Sequence, residues 1–368
     1  MAAAHPFITY GPSLTVLKWL GVRPPLKEVP GAATPVRSFA VCVSAFNEES
    51  VIDDKAKNLL ALRRHSELPV DLLVYVDAAT DGTWQRLQPY ADRITLVAGR
   101  ERLGKTAGMN LLASMTDADI LVFTDANVMM RADALDRLRR HFRDPTVGCV
   151  CGHLIYANGT DSPTAALGAR YWRSEETIKQ RESETGGVIG ADGSLFAIRG
   201  ILHQPVPDHI IDDFYLSLAI LCDGHAVIRA GDVRATEGAT IDSADEYRRK
   251  QRIACQAFNV HRLLRRRLAG LHWSLRYKYF SHKLLRWFSL INAGCGGFCL
   301  AGGCLIGGDW RPGLTLAILG AVGVTLRPSR EILLSLAATT HGLLSSMDGK
   351  RFQTWHPPTS RSLRSAKL

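Results

Sequence analysis

Several signatures that would place a chain at a glance are missing here. The eight cysteines, Cys42, Cys149, Cys151, Cys222, Cys255, Cys295, Cys299 and Cys304, show no paired metal-ligand spacing, which argues against zinc-ribbon and dithiol redox classes. No signal peptide is recognisable at the start, so the cysteines read as reduced small hydrophobes and the bulk of the protein is expected in the cytosol. Acidic residues are in deficit: 35 Asp and Glu stand against 45 Lys and Arg, a formal charge of +10. That excess calls for an anionic partner, whether nucleic acid, an anionic membrane surface or a phosphorylated substrate. An aromatic-rich basic stacking surface is not apparent, so no nucleic acid is expected. The first 38 residues also lack a spanning segment, because Pro12 and Lys18 interrupt the stretch from Phe7 to Leu20 and a bilayer takes about 20 apolar residues. They read as an irregular arm.

What is present begins with Ala118-Asp119-Ile120-Leu121-Val122-Phe123-Thr124-Asp125-Ala126-Asn127. A β-branched and aromatic run of strand length delivers Asp125 to a strand end, with Asn127 two residues on, and open α/β sheets bind ligands at the carboxyl ends of their strands. The pair offers hard oxygens suited to a divalent cation on a diphosphate; capping of the following helix is the competing reading. Phe39–Ser44 makes a first strand, followed by Ala45-Phe46-Asn47-Glu48-Glu49-Ser50 and a helix carrying Val51, Ile52, Leu59 and Leu60. Leu72–Val76 makes a second, ending at Asp77, and Ile94–Val97 a third. Gly99 and Gly104-Lys105-Thr106 formally meet a phosphate-loop pattern, so an NTPase has to be weighed; Asp-tipped strands on either side fit a sugar-nucleotide fold better.

Strand and helix alternate through a helix near 132–143, the rhythm of a largely parallel sheet. Beyond 147, Gly148–Ile155 and Val188–Ile198 are predicted as strands around a helix at 168–183. His209-Ile210-Ile211-Asp212-Asp213 then opens an apolar helix, where one carboxylate can cap and the other face a crevice and take a proton. From Tyr247 to Leu268, Tyr247, Ile253, Ala257, Leu264 and Leu268 share a helical stripe among arginines, a basic amphipathic helix of the membrane-surface kind whose first arginines could also reach a diphosphate. Trp287–Gly308 is long enough to span a bilayer and Gly313–Leu326 is shorter; a buried helical hairpin is the alternative. Ile332, Leu336, Leu343, Leu344 and Met347 are expected on one face of a last helix.

Taken in order, these motifs resemble the membrane-associated bacterial glycosyltransferases of family 2, related to cellulose and hyaluronan synthases. Ser44-Ala45-Phe46-Asn47-Glu48-Glu49 is similar to the family's P-x-Y-N-E-E turn, Asp77–Thr83 to D-D-G-S-T-D-G-T, and Gly104–Asn110 to G-K-x-x-A-L-N. Asp125-Ala126-Asn127 stands at the family's metal-binding D-x-D, Gly190–Arg199 at its acceptor-side segment, and Asp212-Asp213 at its E-D pair. Three departures stand out. Ala78 replaces a usual Asp, Asn127 replaces the second acid, and no Q-x-x-R-W signature follows Arg249.

The resemblance implies an α/β GT-A fold with C-terminal amphipathic and membrane-associated helices. It divides the chain into an arm (1–38), a catalytic domain (39–246), interface helices (247–286), a membrane-associated region of one or two transmembrane spans plus an interface helix (287–346) and a cytoplasmic basic tail (347–368). It also implies an inverting, metal-dependent transfer of a sugar from a nucleotide-sugar, a UDP-sugar by preference, to a polysaccharide or lipid-linked acceptor at the cytoplasmic face of the cell membrane, beside anionic lipids. Asp213 would be the base and Asp212 its support. Ala45, Asn47, Glu48, Asp77, Asp81, Gly104, Lys105, Asn110, Asp125, Arg249 and Arg252 would bind the donor, Gly190, Asp192 and Gly193 would face the acceptor, and Asp125 with Asn127 would hold Mg2+ or Mn2+. A sugar-nucleotide-binding pseudoenzyme, suggested by Ala78 and Asn127, is the other reading.

Overall fold

A computed structural model describes residues 2–156, 163–238, 243–308 and 327–354, with 311, 313–315 and 325 as isolated positions. One eight-stranded sheet runs through it: β1 (Phe39–Ala45), β2 (Val70–Val76), β3 (Thr95–Ala98), β4 (Ile120–Asp125), β5 (Met129–Met130), β6 (Val147–Tyr156), β7 (Leu195–Arg199) and β8 (Ala226–Glu237). The spatial order is β3-β2-β1-β4-β7-β6-β8-β5. β1, β2, β3 and β4 are parallel, and β7 lies antiparallel between β4 and β6. β1, β2 and β4 are predominantly apolar and buried along their length because both faces of a parallel sheet are covered. Ile52, Leu59, Leu62, Leu135 and Leu138 pack on one face; Met109, Leu112, Leu218, Leu221, Val260 and Leu264 pack on the other.

The register explains why chemistry gathers at one edge. Ser44 pairs with Asp125 and Ala45 with Val76, the neighbour of Asp77, so the carboxyl ends of β1, β2 and β4 are level. The chain steps outward from β1 to β3 and returns to β4 on the other side, which makes the β1/β4 boundary the switch point where ligands bind. Because β7 runs the opposite way, pairing Thr124 with Leu195, the loop before it arrives at the end of β4.

Four expectations need correction. The N-terminal arm is helical, His5–Ile8 and Tyr10–Trp19, with Tyr10 and Leu14 fully buried. Pro12 falls in a first helical turn, where a missing N–H breaks no intrahelical bond. Where Val188–Ile198 was expected, the strand is the shorter Leu195–Arg199; Gly190, at φ 93°, turns the chain before it. β8 escaped notice because a register irregularity against β6 between Cys151 and His153 disrupts its alternation. Finally, no single helix among the described residues is long and apolar enough to cross a membrane. Ser289–Gly307 is rich in glycine, and only the pair Trp273–Trp287 and Ser289–Cys304, bent by 72°, has the length and composition of a broken span. The second apolar run, Gly313–Leu326, lies almost entirely outside the described residues.

The last helix, Arg327–Met347, packs on the long Ser243–Ala269 helix through Ala338, Gly342, Leu343, Ser345 and Ser346, which are buried. Ile332, Leu344 and Met347, expected with Leu343 on the packed face, are exposed instead. Close approach selects the small residues: a Cβ on Gly342 would sit 2.3 Å from the Gln251 carbonyl oxygen.

Candidate active site

Lys105 lies at the centre of the crevice. It is the first residue of the Lys105–Ala113 helix, entered through Gly104 at φ 93°. Its Nζ donates to Asp125 Oδ1 at 2.5 Å and to the Gly193 carbonyl at 3.3 Å. Burial alone would push this ammonium down, but Asp125, Asp212 and Asp213 hold it well above its ordinary pKa. Lys105 therefore joins the strand-end carboxylate to the pair that opens the Asp212–Cys222 helix.

Asp212 and Asp213 are both buried. Asp213 Oδ1 accepts its neighbour's Phe214 N–H at 2.6 Å, while Asp212 Oδ2 is enclosed with no hydrogen-bond donor among the described residues. Burial, then the adjacent Asp212 charge, pushes Asp213 up to about 7, against the pull of Lys105. A carboxylate tuned there is suited to take a proton at neutral pH. Gly193 makes room for it: a Cβ would stand 2.9 Å from Asp213 Oδ2 and 3.1 Å from Lys105 Nζ.

The expected donor loops are close by, and their side chains hold backbone. Asp77 is buried and accepts the Leu103 and Gly104 N–H groups at 2.8 and 2.9 Å, which fixes the turn presenting Lys105. Asn47, at φ 51°, bonds Thr80 through both ends of its amide. Asp81 accepts from Glu49 N, Thr83 N and Thr83 Oγ1. Ala45 ends β1 and Glu48 is buried, its N–H donating to Thr83 Oγ1. Ala78 adopts φ 49°, an uncommon backbone for a residue with a Cβ. Asn110 clasps Val206 in both directions, donating to its carbonyl at 2.7 Å and accepting its N–H at 3.0 Å; Thr106 Oγ1 donates to the Ile210 carbonyl. The Lys105 helix is thereby tied to the loop that leads into Asp212.

Asp125 and Asn127 offer hard oxygens, but no group of three His, Cys, Asp or Glu side chains among the described residues is arranged to hold a metal. Asn127 Nδ2 donates to Glu237 Oε1 at 2.8 Å. One carboxylate and one amide suit Mg2+ or Mn2+ when substrate phosphates complete the shell, as Mg2+ sites commonly require. Arg249 shares the Glu237 carboxylate's neighbourhood with Asn127: it pairs with Glu246 at 3.4 Å and is held above its ordinary pKa, against burial, by Glu246, Tyr156 and Glu237. Arg252 is half-buried on the same helix. Of the residues expected to face the acceptor, Gly190 lies against the Phe214 ring and Asp192 pairs with the buried Lys179.

Four polar residues escaped the sequence reading. Lys55 is fully buried, donates to the Val128 carbonyl at 2.6 Å, and is pushed down to about 7 by burial, with Asp125 opposing. Its helical spacing, three after Ile52 and four before Leu59, was the available signal. Lys179, Glu237 and His282 gave none, since their partners Asp192, Asn127, Glu175 and Glu182 are distant in sequence or in strands not foreseen.

Residues 40–203 match the model of glycosyl transferase family 2. An N-acetylglucosaminyltransferase of Rhizobium meliloti (strain 1021) is 25% identical over 45% of this chain and 40% of its own length. One from Rhizobium leguminosarum bv. viciae is 24% identical over 62% and 56%. The chain thus spans about half the length of these two curated relatives. A mannosyltransferase from Pyrobaculum calidifontis, solved in complex with GDP-Man and Mn2+, is 21% identical over 95% of this chain and 100% of its own, with a TM-score of 0.66, so the two share a fold.

Proposed function

Since the chain carries a family 2 glycosyl transferase domain over residues 40–203, we propose that it is an inverting glycosyltransferase moving a sugar from a nucleotide-sugar, a UDP-sugar by preference, to a glycan or lipid-linked acceptor at the cytoplasmic face of a membrane. The observation that carries this reading is Asp213, buried, poised at about 7 and adjoining Lys105 across the side-chain-free Gly193. Asp213 takes the acceptor hydroxyl proton, and Asp212 keeps it basic enough to do so. Lys105 brings positive charge toward the leaving diphosphate, where charge develops as the sugar departs. Asp125 and the Asn127 carbonyl would hold a divalent cation, Mg2+ or Mn2+, which when bound neutralises the diphosphate. Support for action at a membrane comes from the exposed Phe298, Ile306, Ile332 and Leu333, with Arg265 and Arg266 on the neighbouring interface helix.

The names of the curated relatives make N-acetylglucosamine the first sugar to try. UDP-GlcNAc, UDP-glucose and GDP-mannose are offered to the purified chain with Mn2+ or Mg2+ and bacterial lipid, and nucleotide release is followed. Release with one donor, dependent on the cation and lost in Asp213→Asn, is the expected result. Release at the parental rate by Asp213→Asn would reject the base assignment. A binding-only protein is the second reading, favoured by the Asn127 amide engaged with Glu237; it predicts donor binding with no release from any of the three.

A further inference from the structure

Among the seven arginines of the Ser243–Ala269 helix, three meet carboxylates and two share a cleft. Arg248, Arg249 and Arg267 meet carboxylates, Asp245 at 2.6 Å, Glu246 at 3.4 Å and Asp223 at 2.8 Å. Arg262 and Arg265 form no salt bridge among the described residues, and neither does Arg351, which follows the last helix. These three line one open cleft of about 400 Å3, which Pro207, His209 and Ile210 also line. Arg262 is held in place by donating Nη1 to the Ser346 carbonyl at 2.9 Å. His209 is pushed below its ordinary pKa by burial and then by Arg351, with Asp208 opposing. Three guanidinium groups without carboxylate partners repel one another, and an anion between them removes that cost; phosphate matches the guanidinium fork best.

A second cleft, of about 390 Å3, shares Arg262 and Arg265 with the first and is otherwise lined by Phe258, His261 and Met347. Of its apolar lining Met347 is 61% exposed, and Leu263, which lines the first cleft, is 52% exposed. A cationic cleft joined to an apolar one matches an amphiphile with an anionic head. A free phosphate would leave the apolar half unused.

We infer that the double cleft binds the phosphate headgroup of an anionic membrane lipid, with Arg262, Arg265 and Arg351 on the phosphate and Phe258 and Met347 along the start of the acyl chain. This stands apart from the transfer reading, since it needs neither donor nor Asp213. It also sets the lipid against Pro207–Ile210, the loop that Asn110 and Thr106 clasp just before the Asp212–Asp213 pair.

The test is flotation of the full chain with phosphatidylcholine vesicles, with and without one-fifth phosphatidic acid. Phosphatidic acid should strengthen binding, and Arg262→Gln/Arg265→Gln/Arg351→Gln should lose most of that gain, on the order of tenfold or more. Arg266→Gln/Arg276→Gln/Arg330→Gln, which removes the same charge outside the cleft, should lose less than about threefold. Arg265→Gln/Arg351→Gln, which keeps the Arg262 tie, should fall between parent and triple variant, and an unchanged circular dichroism spectrum and thermal unfolding on the same preparations show that each variant is folded. Equal losses in the two triple variants, or none in either, would overturn the inference. Inorganic phosphate at millimolar concentration should compete weakly; full displacement would reassign the cleft to a soluble phosphate and overturn it as well.

Discussion

Asn47, Asp77, Asp81 and Asn110 stand in the same crevice as Lys105, Asp125 and Asp213, yet the two groups use their polar atoms differently. The first four stitch loops together: Asn47 to Thr80, Asp77 to Leu103 and Gly104, Asp81 to Glu49 and Thr83, Asn110 to Val206. The second group sets charge against charge, with one ammonium among three carboxylates, one of them pushed up to about 7. Neutral amides and short carboxylates satisfy backbone groups at little electrostatic cost, so they suit a frame. Buried charges in partial balance can change protonation state, so they suit chemistry. Motif membership alone does not separate the two roles.

Substitutions in each group break the comparison in different ways. The largest effect is expected from Asp213→Asn, which keeps the shape and removes the proton acceptor; general-base loss is worth on the order of 10²–10⁴-fold in rate, and calorimetry should find donor binding retained. Gly193→Ala comes next. Its methyl group would crowd Asp213 Oδ2 and Lys105 Nζ, and displacement of reacting groups of this kind can cost about 10²-fold in kcat while thermal unfolding changes little. Asn110→Ala should act through the frame instead. It leaves the Val206 N–H and carbonyl without their partner, and a loss of about 1–3 kcal/mol is expected in denaturant unfolding, with a smaller fall in rate than Gly193→Ala. The smallest is Asn127→Asp, which adds an acid at the proposed metal position and should tighten Mn2+ binding by about tenfold, about 1.4 kcal/mol, as read by titration without donor. An unchanged Mn2+ affinity would separate Asn127 from the cation.

Much of the frame was legible in the chain. β1, β2 and β4 are compact apolar runs ending at polar turns, and their carboxyl ends lie level as a parallel sheet requires. β8 was not legible, because an irregular register hides its alternation, and neither was the helical arm around Pro12. At the site, the motif order brought together Lys105, Asp125, Gly193 and Asp213. That Lys105 lies between the carboxylates depends on the antiparallel entry of β7, which carries Gly193 to the end of β4 and which no local pattern announces. The buried Glu175–His282–Glu182 bridge was hidden for a related reason, since His282 stands 107 and 100 residues beyond the two glutamates it joins.

As the proposed base, Asp213 would act only when ionised, so the active fraction would grow as pH rises through its folded pKa of about 7. The pH profile of kcat/KM for nucleotide release between pH 5 and 9 is therefore the most direct test. A limb that climbs tenfold per pH unit and levels near 7 is the predicted result. A profile already flat above pH 5, as an ordinary carboxylate would give, would contradict the assignment of Asp213 as the buried, neutral-pH base.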